Sequence, residues 1–272
     1  MLTRTIQGTE VPAIGFGTWE LVDDDTFPGV TAALELGYRH IDTAQVYENE
    51  AAVGEALTAS GLDRDEIFLT TKVWNDQLTP EKIKRSTYES LSKLQTDHVD
   101  LLLVHWPLRL GKLEANLEAF VELVEAGAAR HIGVSNFTPD LLRRALDAAP
   151  IFCNQVEHHA YLAQPELLAL TAEHDVLFTA YSPLARGELL SDPAVVAVAE
   201  ERGATPAQVL LRWVLDEGDH VAVIPKATAR ERIAENLAAL DVALTEGDRE
   251  LLASLDRAKR TVDPPWAPDW AR

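Results

Sequence analysis

Cysteine is nearly absent from this chain of 272 residues, and long apolar runs are absent altogether. The single cysteine, Cys153, lies in an apolar stretch, so the chain can form neither an internal disulfide nor a metal site of paired cysteines. We expect a buried, unreactive thiol. No run approaches the roughly 18 apolar residues of a membrane-spanning helix, and the opening residues MLTRTIQGTE show no leader of a basic and then an apolar segment. These features predict a cytoplasmic protein without a membrane partner.

Basic residues are also scarce. Lys and Arg number 24 against 44 Asp and Glu, which gives a net charge of −20, and only seven of the basic residues are lysines. Nucleic-acid binding is disfavoured because phosphate contacts need a basic face. A chain this acidic repels itself and needs salt for screening, which is typical of halophiles. We expect a salt-adapted, haloarchaeal host; the alternative is a solvated acidic surface that carries no function.

Short apolar runs alternate with amphipathic stretches along the chain, a pattern that predicts parallel strands joined by crossover helices. The eight predicted strands are residues 14–17, 38–42, 67–73, 99–105, 131–135, 152–157, 176–182 and 221–225. Seven helices between them and one after the last suit a closed (β/α)8 TIM barrel better than an open Rossmann sheet. We predict a single domain over residues 1–272, with a short hairpin, residues 1–13, across the barrel floor.

Threonines mark several predicted helix starts. The Thr-Pro pairs at 79–80, 138–139 and 205–206 each place a capping residue before a proline at the first helical position. Thr205 with Gln208, and Thr228 with Glu231, fit the capping box. The stretch GFGTWE at 15–20 begins like the dinucleotide fingerprint but ends in Glu, which also argues against a Rossmann sheet.

Four polar residues lie at or just after the ends of neighbouring predicted strands: Asp42, Tyr47, Lys72 and His105. The active site of such a barrel lies at the carboxyl ends of its strands, so these side chains are expected around one mouth. We expect the Lys72 ammonium to lower the pKa of the Tyr47 phenol from about 10, with Asp42 pairing the ammonium. His105 would orient a carbonyl oxygen. The set predicts an acid that protonates an oxygen while a hydride attacks its carbon.

The chain resembles the aldo-keto reductases, NADP-dependent oxidoreductases with a (β/α)8 barrel, over almost its whole length. The matching motifs are GFGTW at 15–19, GYRHIDTAQVYENE at 37–50, TKVW at 71–74, LLLVHWP at 101–107, GVSNF at 133–137, NQVE at 154–157, YSPLARG at 181–187 and IPKATARERIAEN at 224–236. The resemblance implies that Asp42, Tyr47, Lys72 and His105 form the catalytic tetrad, with Tyr47 as general acid. It also implies reduction of aldehydes and ketones to alcohols with NADP(H), and we expect a monomer acting on a small carbonyl substrate.

The resemblance also implies binding residues. Those for the cofactor are Thr18, Asp42, Ser135, Asn136, Gln155, Tyr181, Ser182, Leu184, Arg186, Lys226, Thr228, Arg232, Glu235 and Asn236; those for the substrate are Trp19, Tyr47, Trp74, His105 and Trp106. Within the cofactor set, Tyr181 would stack under the nicotinamide, and Lys226 and Arg232 would meet the 2′-phosphate. Ala227 stands where many relatives carry a serine. We therefore expect NADPH to be preferred over NADH, but less strongly than in those relatives.

The loop after HWP and the tail TVDPPWAPDW are short. This shortness resembles the prokaryotic branch of 2,5-diketo-D-gluconate reductases, which act on small aldehydes, 2-oxo-aldehydes and diketo-sugar acids. Two alternatives remain: a regulatory subunit that binds NADP(H) with little turnover, and a Schiff-base aldolase that uses Lys72. The histidines of EHHAYL at 157–162 would point to opposite faces of an extended stretch, with no carboxylate at ligand spacing, so we expect no metal.

Overall fold

A two-stranded antiparallel hairpin opens the computed structural model, which describes residues 2–270. Its strands are β1 (Thr3–Ile6) and β2 (Thr9–Pro12). Gln7 and Gly8 join them with φ of 47° and 80°, and positive φ at both loop residues matches the twist of hairpin strands. Ile6 and Val11 pack into a buried apolar cluster with side chains from the strands that follow. The predicted hairpin across the barrel floor is confirmed for the described residues.

Eight parallel strands then follow one another around a barrel, each paired with its sequence neighbour. They are β3 (Phe16–Gly17), β4 (His40–Asp42), β5 (Phe68–Val73), β6 (Val99–Val104), β7 (Ala129–Ser135), β8 (Ile151–Glu157), β9 (Leu177–Tyr181) and β10 (Val221–Val223). A parallel bridge between Ile14 and Val223 joins the last strand to the segment before the first, and the Gly15 N–H donates to the Val223 carbonyl at 2.8 Å. The predicted (β/α)8 barrel and all eight strand positions are confirmed.

Ten α-helices cover the described part of the chain, two more than the sequence predicts. They are α1 (Thr26–Leu36), α2 (Glu50–Ala59), α3 (Pro80–Leu94), α4 (Leu113–Glu125), α5 (Pro139–Ala148), α6 (Pro165–Glu173), α7 (Pro193–Arg202), α8 (Pro206–Leu215), α9 (Arg230–Leu237) and α10 (Glu246–Ala253). The connection between β9 and β10 holds both α7 and α8, because Gly203 ends α7 in the left-handed region and Thr205 caps α8. Two helices, α9 and α10, follow β10. None of the helices in residues 2–270 is long and apolar enough to cross a membrane.

The three predicted Thr-Pro helix starts are confirmed in position, but not all of them have the expected capping hydrogen bond. Thr205 and Gln208 form the predicted capping box. Thr79 and Thr138 occupy the N-cap before a proline, without a side-chain capping bond to any described residue. The capping box at Thr228 was predicted wrongly. Helix α9 begins at Arg230 with Ala229 as N-cap. Thr228 therefore precedes the N-cap by one residue, and its hydroxyl does not cap the free N–H groups of the first turn.

The expected buried thiol is present in the barrel interior. Cys153 is fully buried, with its sulfur 3.4 Å from the Thr179 hydroxyl. Burial raises the pKa of this thiol to about 12, so the reactive thiolate is not formed near neutral pH. A much larger polar side chain, Lys72, is also fully buried, at the opposite end of the barrel from the hairpin.

Candidate active site

The ends of β4, β5 and β6 bring the predicted polar residues to one mouth of the barrel. The parallel register places Asp42 opposite Thr70 and Lys72 opposite Leu103, and the His105 N–H donates to the Val73 carbonyl at 3.2 Å. Tyr47 lies on a short 3-10 turn, Gln45–Tyr47, after β4. The Gln45 side chain accepts a hydrogen bond from the Trp74 N–H at 2.9 Å, which ties this turn to the loop after β5.

A buried ion pair lies under the mouth. The Lys72 ammonium donates to the Asp42 carboxylate, to the Thr43 carbonyl at 2.9 Å and to the Tyr47 hydroxyl at 3.4 Å. The second Asp42 oxygen accepts from the Gln155 side-chain amide at 2.7 Å. Lys72 and Asp42 are 0% and 1% exposed, so each charge depends on the other for its stabilisation.

The structure contradicts the expected net lowering of the Tyr47 pKa. Burial first, and the charge of Asp42 second, raise the pKa of Tyr47 well above its ordinary value of 10. Burial also lowers the pKa of Lys72, against the attraction of Asp42. The ammonium is 3.4 Å from the phenol, but the Asp42 carboxylate that it contacts offsets its field. Tyr47 therefore stays a protonated phenol throughout the neutral range.

His105 is held in its neutral form. Burial, followed by the charge of Lys72, lowers its pKa well below the ordinary 6.5. Its Nδ1 atom is buried and has no hydrogen-bond partner among the described residues. A bare acceptor is tolerated better than an unpaired buried N–H, which favours the tautomer with the proton on Nε2. The ring lies edge-on to Tyr47, with 5.7 Å between the centroids, and 5.0 Å from Trp74.

These residues line a cavity of about 510 Å³ at the mouth. The predicted substrate residues all contribute to its lining: Trp19, Tyr47, Trp74, His105 and Trp106. The Trp19 ring lies 4.8 Å from the Tyr47 ring and is 45% exposed, whereas Trp106 is 5% exposed. Lys72 does not line the cavity, because its ammonium is directed into the ion pair beneath. A substrate in the cavity would therefore meet the phenol and imidazole but not the amine.

Half of the predicted cofactor residues face the same cavity: Asp42, Ser135, Asn136, Gln155, Tyr181, Arg186 and Lys226. Several are bonded to one another. The Tyr181 hydroxyl donates to the Asn136 side-chain oxygen at 2.7 Å, and the Asn136 amide donates to the His105 carbonyl at 2.9 Å. The Ser135 hydroxyl donates to the Gln155 carbonyl at 2.8 Å. This network connects the ends of β7, β8 and β9 to His105.

The other predicted cofactor residues lie outside the cavity lining: Thr18, Ser182, Leu184, Thr228, Arg232, Glu235 and Asn236. The Thr18 hydroxyl donates to the Asp42 carbonyl at 3.0 Å, in the barrel wall. Arg232 is largely exposed and its guanidinium contacts the Glu235 carboxylate at 2.5 Å. Ser182 and Arg186 have φ of 50° and 53°, a left-handed backbone that non-glycine residues adopt at a cost.

Sequence reasoning missed one wall of the cavity. Gly17, Val46 and Ile224 contribute from the barrel, and the C-terminal segment contributes Thr261, Val262, Asp263, Pro264 and Trp266. The tail was noted as short in the sequence, but no residue in it was assigned to the site. Its two tryptophans, in a stretch rich in proline, were the available signal. The Trp266 ring lies edge-on to Trp74 at 6.4 Å.

The two adjacent histidines after β8 have different partners. His158 pairs with Glu217 and stacks on Trp213 with 5.7 Å between the rings. His159 is bonded to the Glu157 carboxylate at 3.1 Å. Within residues 2–270, no group of three or more His, Cys, Asp or Glu side chains is placed to hold a metal ion.

Comparison with known proteins places the chain in a family. The model of the Aldo/keto reductase family matches residues 13–257. Methylglyoxal reductase DkgB of Escherichia coli O157:H7 is 43% identical over 266 residues, which cover 96% of this chain and 99% of the relative. An aldo-keto reductase of Mycobacterium avium (strain 104) is 44% identical over 260 residues, 94% of this chain and 90% of the relative.

Solved structures agree with this placement. The crystal structure of a protein provisionally identified as 2,5-diketo-D-gluconic acid reductase B superimposes with a TM-score of 0.95 at 40% identity, over 99% of this chain and 98% of that one. An aldo-keto reductase from a deep-sea metagenome library superimposes with a TM-score of 0.93 at 35% identity, over 97% and 99% of the two chains. The chain therefore belongs to the aldo/keto reductase family and is an oxidoreductase that reduces carbonyl groups to alcohols with a nicotinamide cofactor.

Proposed function

We propose that this protein reduces small aldehydes and 2-oxo-aldehydes with NADPH, and that Tyr47 supplies the proton. The observation that carries the proposal is the surroundings of the Tyr47 hydroxyl. It lies 3.4 Å from the Lys72 ammonium, its ring is edge-on to neutral His105, and the tryptophan-lined cavity opens above it. A substrate oxygen at this position is within reach of two donors, a phenol and an imidazole N–H.

Each residue of the set has a distinct role in the proposed reaction. The bound nicotinamide supplies the hydride. The Nε2–H of His105 holds the carbonyl oxygen beside Tyr47. Tyr47 donates its proton to that oxygen, because an alkoxide is a stronger base than the phenolate that remains. The Lys72 ammonium then stabilises this phenolate, and Asp42 keeps the ammonium in place. Burial and Asp42 thus keep Tyr47 protonated before the reaction, and the Lys72 ammonium favours proton donation because it stabilises the phenolate that forms.

The residues on the cofactor side of the cavity fit a nicotinamide cofactor. Ser135, Asn136 and Gln155 offer amide and hydroxyl groups for a carboxamide, and the Tyr181 ring offers a stacking face. Arg186 and Lys226 are the cations of the cavity lining, in a chain of net charge −20. They suit phosphate groups, and Arg232 can add a third cation when it leaves Glu235. This charge supports NADPH over NADH.

The substrate side of the cavity favours an uncharged molecule. Its lining is largely aromatic, and Asp263 is the acidic group that the C-terminal segment contributes. A substrate carboxylate would meet a like charge there, while Arg186 and Lys226 would be engaged by phosphate. The similarity to proteins named methylglyoxal reductase fits this preference. We therefore favour a neutral 2-oxo-aldehyde over a diketo-sugar acid. The proposal includes a monomeric, cytoplasmic enzyme without nucleic-acid or membrane partners.

The Schiff-base aldolase is disfavoured by the position of Lys72. Its ammonium is fully buried, has three acceptors, and does not line the cavity. An activity assay distinguishes the proposed reductase from a regulatory subunit that binds NADP(H) with little turnover. NADPH oxidation is followed at matched concentrations of neutral aldehydes, methylglyoxal and anionic keto acids, in low and in molar salt. We expect turnover with the neutral compounds. Tight NADPH binding without turnover on any of them would favour the regulatory subunit.

Cofactor choice has a matched pair of variants on helix α9. Arg232→Ala is expected to raise the KM for NADPH about tenfold or more and to leave that for NADH unchanged, since one charge-assisted contact is worth roughly 1.5–3 kcal/mol. Arg230→Ala is the control, because Arg230 is two residues away but pairs with Glu35. Equal losses with both cofactors, or a wild type that prefers NADH, would remove Arg232 from 2′-phosphate recognition.

A further inference from the structure

The substrate wall that sequence reasoning missed is an extended segment laid across the barrel mouth. We call residues 261–266 the tail wall. Its two ends meet opposite sides of the mouth: Thr261 lies at the end of β8, and Trp266 reaches Trp74 after β5. Beyond it, Trp270 lies edge-on to Trp106 at 6.2 Å. The tail wall contains no helix or strand, so contacts with the barrel must set its position.

The Glu157 carboxylate makes the contacts at the β8 end. One of its oxygens accepts from the Thr261 N–H at 2.7 Å and from the Thr261 hydroxyl, and the other accepts from the Val262 N–H at 3.1 Å. The His159 ring adds a bond to the first oxygen at 3.1 Å. Glu157 is 0% exposed. Burial opposes its ionisation, but the bonds from His159 and Thr261 outweigh burial and lower its pKa, so the group is a carboxylate at neutral pH.

The turn after Glu157 holds the chain that leads to the tail wall. The Tyr161 carbonyl accepts from the Arg257 N–H at 3.3 Å and from the Lys259 N–H at 2.9 Å. The Arg257 guanidinium lies 3.5 Å above the Tyr161 ring. The EHHAYL stretch, which the carbonyl chemistry does not use, is thus the docking surface for a segment about 100 residues further along the chain.

We propose that Glu157 is a positioning residue for substrate binding, which acts by fixing the tail wall over the cavity. It does not touch the reacting atoms. Thr261 and Val262 are bound to its carboxylate and also line the cavity, so a shift at Glu157 passes directly to the wall. The polar groups of Tyr47, His105 and Lys72 make no hydrogen bond to the tail wall among the described residues. Proton donation should therefore survive when the wall moves.

Glu157→Gln tests the proposal, because it keeps the side-chain shape and replaces an accepting oxygen with an NH2 group that faces N–H donors. We expect the KM for an aromatic aldehyde to rise about tenfold, the effect of losing one good charge-assisted bond. We expect kcat to change less than about threefold and the Kd of NADPH to stay the same. Glu217→Gln is the matched control, since Glu217 pairs with neighbouring His158 on the other side of the turn.

Limited trypsin digestion gives a readout that needs no turnover. Lys259 and Arg260 immediately precede the tail wall, so a released tail is cut after one or the other, and mass spectrometry detects the loss of residues 260–272 or 261–272. We expect Glu157→Gln to be cut faster than the wild type and the Glu217→Gln control. Should Glu157→Gln fail to fold, Thr261→Val removes only the hydroxyl donor and should show smaller changes of the same kind.

Two outcomes would overturn the inference. One is a folded Glu157→Gln enzyme with the wild-type KM and wild-type trypsin resistance. The other is an effect of Glu157→Gln on KM that persists in a chain ending at Arg260, because the proposed route through the tail wall is then missing. The kinetic readout rests on the proposed function, NADPH-dependent reduction of aldehydes, but the digestion does not. If none of the carbonyl compounds supported NADPH oxidation, the proposed function would be refuted. The digestion result would then still test whether Glu157 positions the tail wall.

Discussion

Lys72→Met separates the structural role of the buried ion pair from its chemical role. In the wild type the Lys72 ammonium pairs with Asp42, and both residues are at most 1% exposed. Removal of the ammonium leaves a buried carboxylate whose remaining side-chain partner is the Gln155 amide, at 2.7 Å. Breaking a buried pair in this way costs about 3–5 kcal/mol. We expect a loss of that size in the free energy of unfolding, measured by urea denaturation at constant salt.

The double variant Asp42→Asn/Lys72→Met tells whether the orphaned charge is the cause. It leaves no charge in the site, and the new asparagine can still accept from Gln155, so most of the lost stability should return. Activity should not return, because the phenolate of Tyr47 has lost its counter-charge; kcat should stay at least 10²-fold down, on the order of a general acid's contribution. Lys82→Met, at an exposed lysine, is the control and should alter stability by less than about 0.5 kcal/mol.

Two results would refute this reasoning. If Lys72→Met were as stable as the wild type, the carboxylate would not depend on the ammonium. If the double variant were as unstable as Lys72→Met, the loss would come from packing of the lysine stem and its bond to the Thr43 carbonyl, at 2.9 Å in the wild type, rather than from charge.

Three further predictions follow from the same site and from the charge of the chain. Tyr47→Phe should lower kcat by about 10²-fold or more with the Kd of NADPH unchanged, and near wild-type turnover would remove Tyr47 from the mechanism. The pKa of Tyr47 lies well above 10 and that of His105 well below 6.5, so phenol and neutral imidazole persist between these values; kcat/KM should be flat from about pH 6.5 to 9, and a fall near pH 8 would contradict the raised phenol pKa. With a net charge of −20, the melting temperature should keep rising from about 0.1 M to molar KCl, where ordinary screening is already strong, and a constant value would refute salt adaptation.

The sequence by itself determined the barrel and brought the candidate catalytic residues to one end of it. Alternating apolar runs located all eight strands, because a strand buried on both faces reads as an apolar run whatever its partners. Spacings of one βα unit then placed Asp42, Lys72 and His105 on neighbouring strand ends, since parallel connections keep successive strands adjacent. The helix starts were less secure. Thr228 and Glu231 have the spacing of a capping box, but spacing alone does not show which residue is the N-cap. The backbone hydrogen bonds show that α9 begins after Ala229.

The tertiary structure alone decided the electrostatics of the site and the wall above it. Sequence spacing indicated that the Lys72 ammonium would approach Tyr47, but not how deeply the two side chains would be buried. Burial together with the charge of Asp42 raises the pKa of Tyr47. The tail wall depends on hydrogen bonds between Glu157 and Thr261, which are 104 residues apart. Such a contact leaves no local periodicity or motif in the chain. It exists only because the closed barrel brings the end of β8 beneath the C-terminal segment.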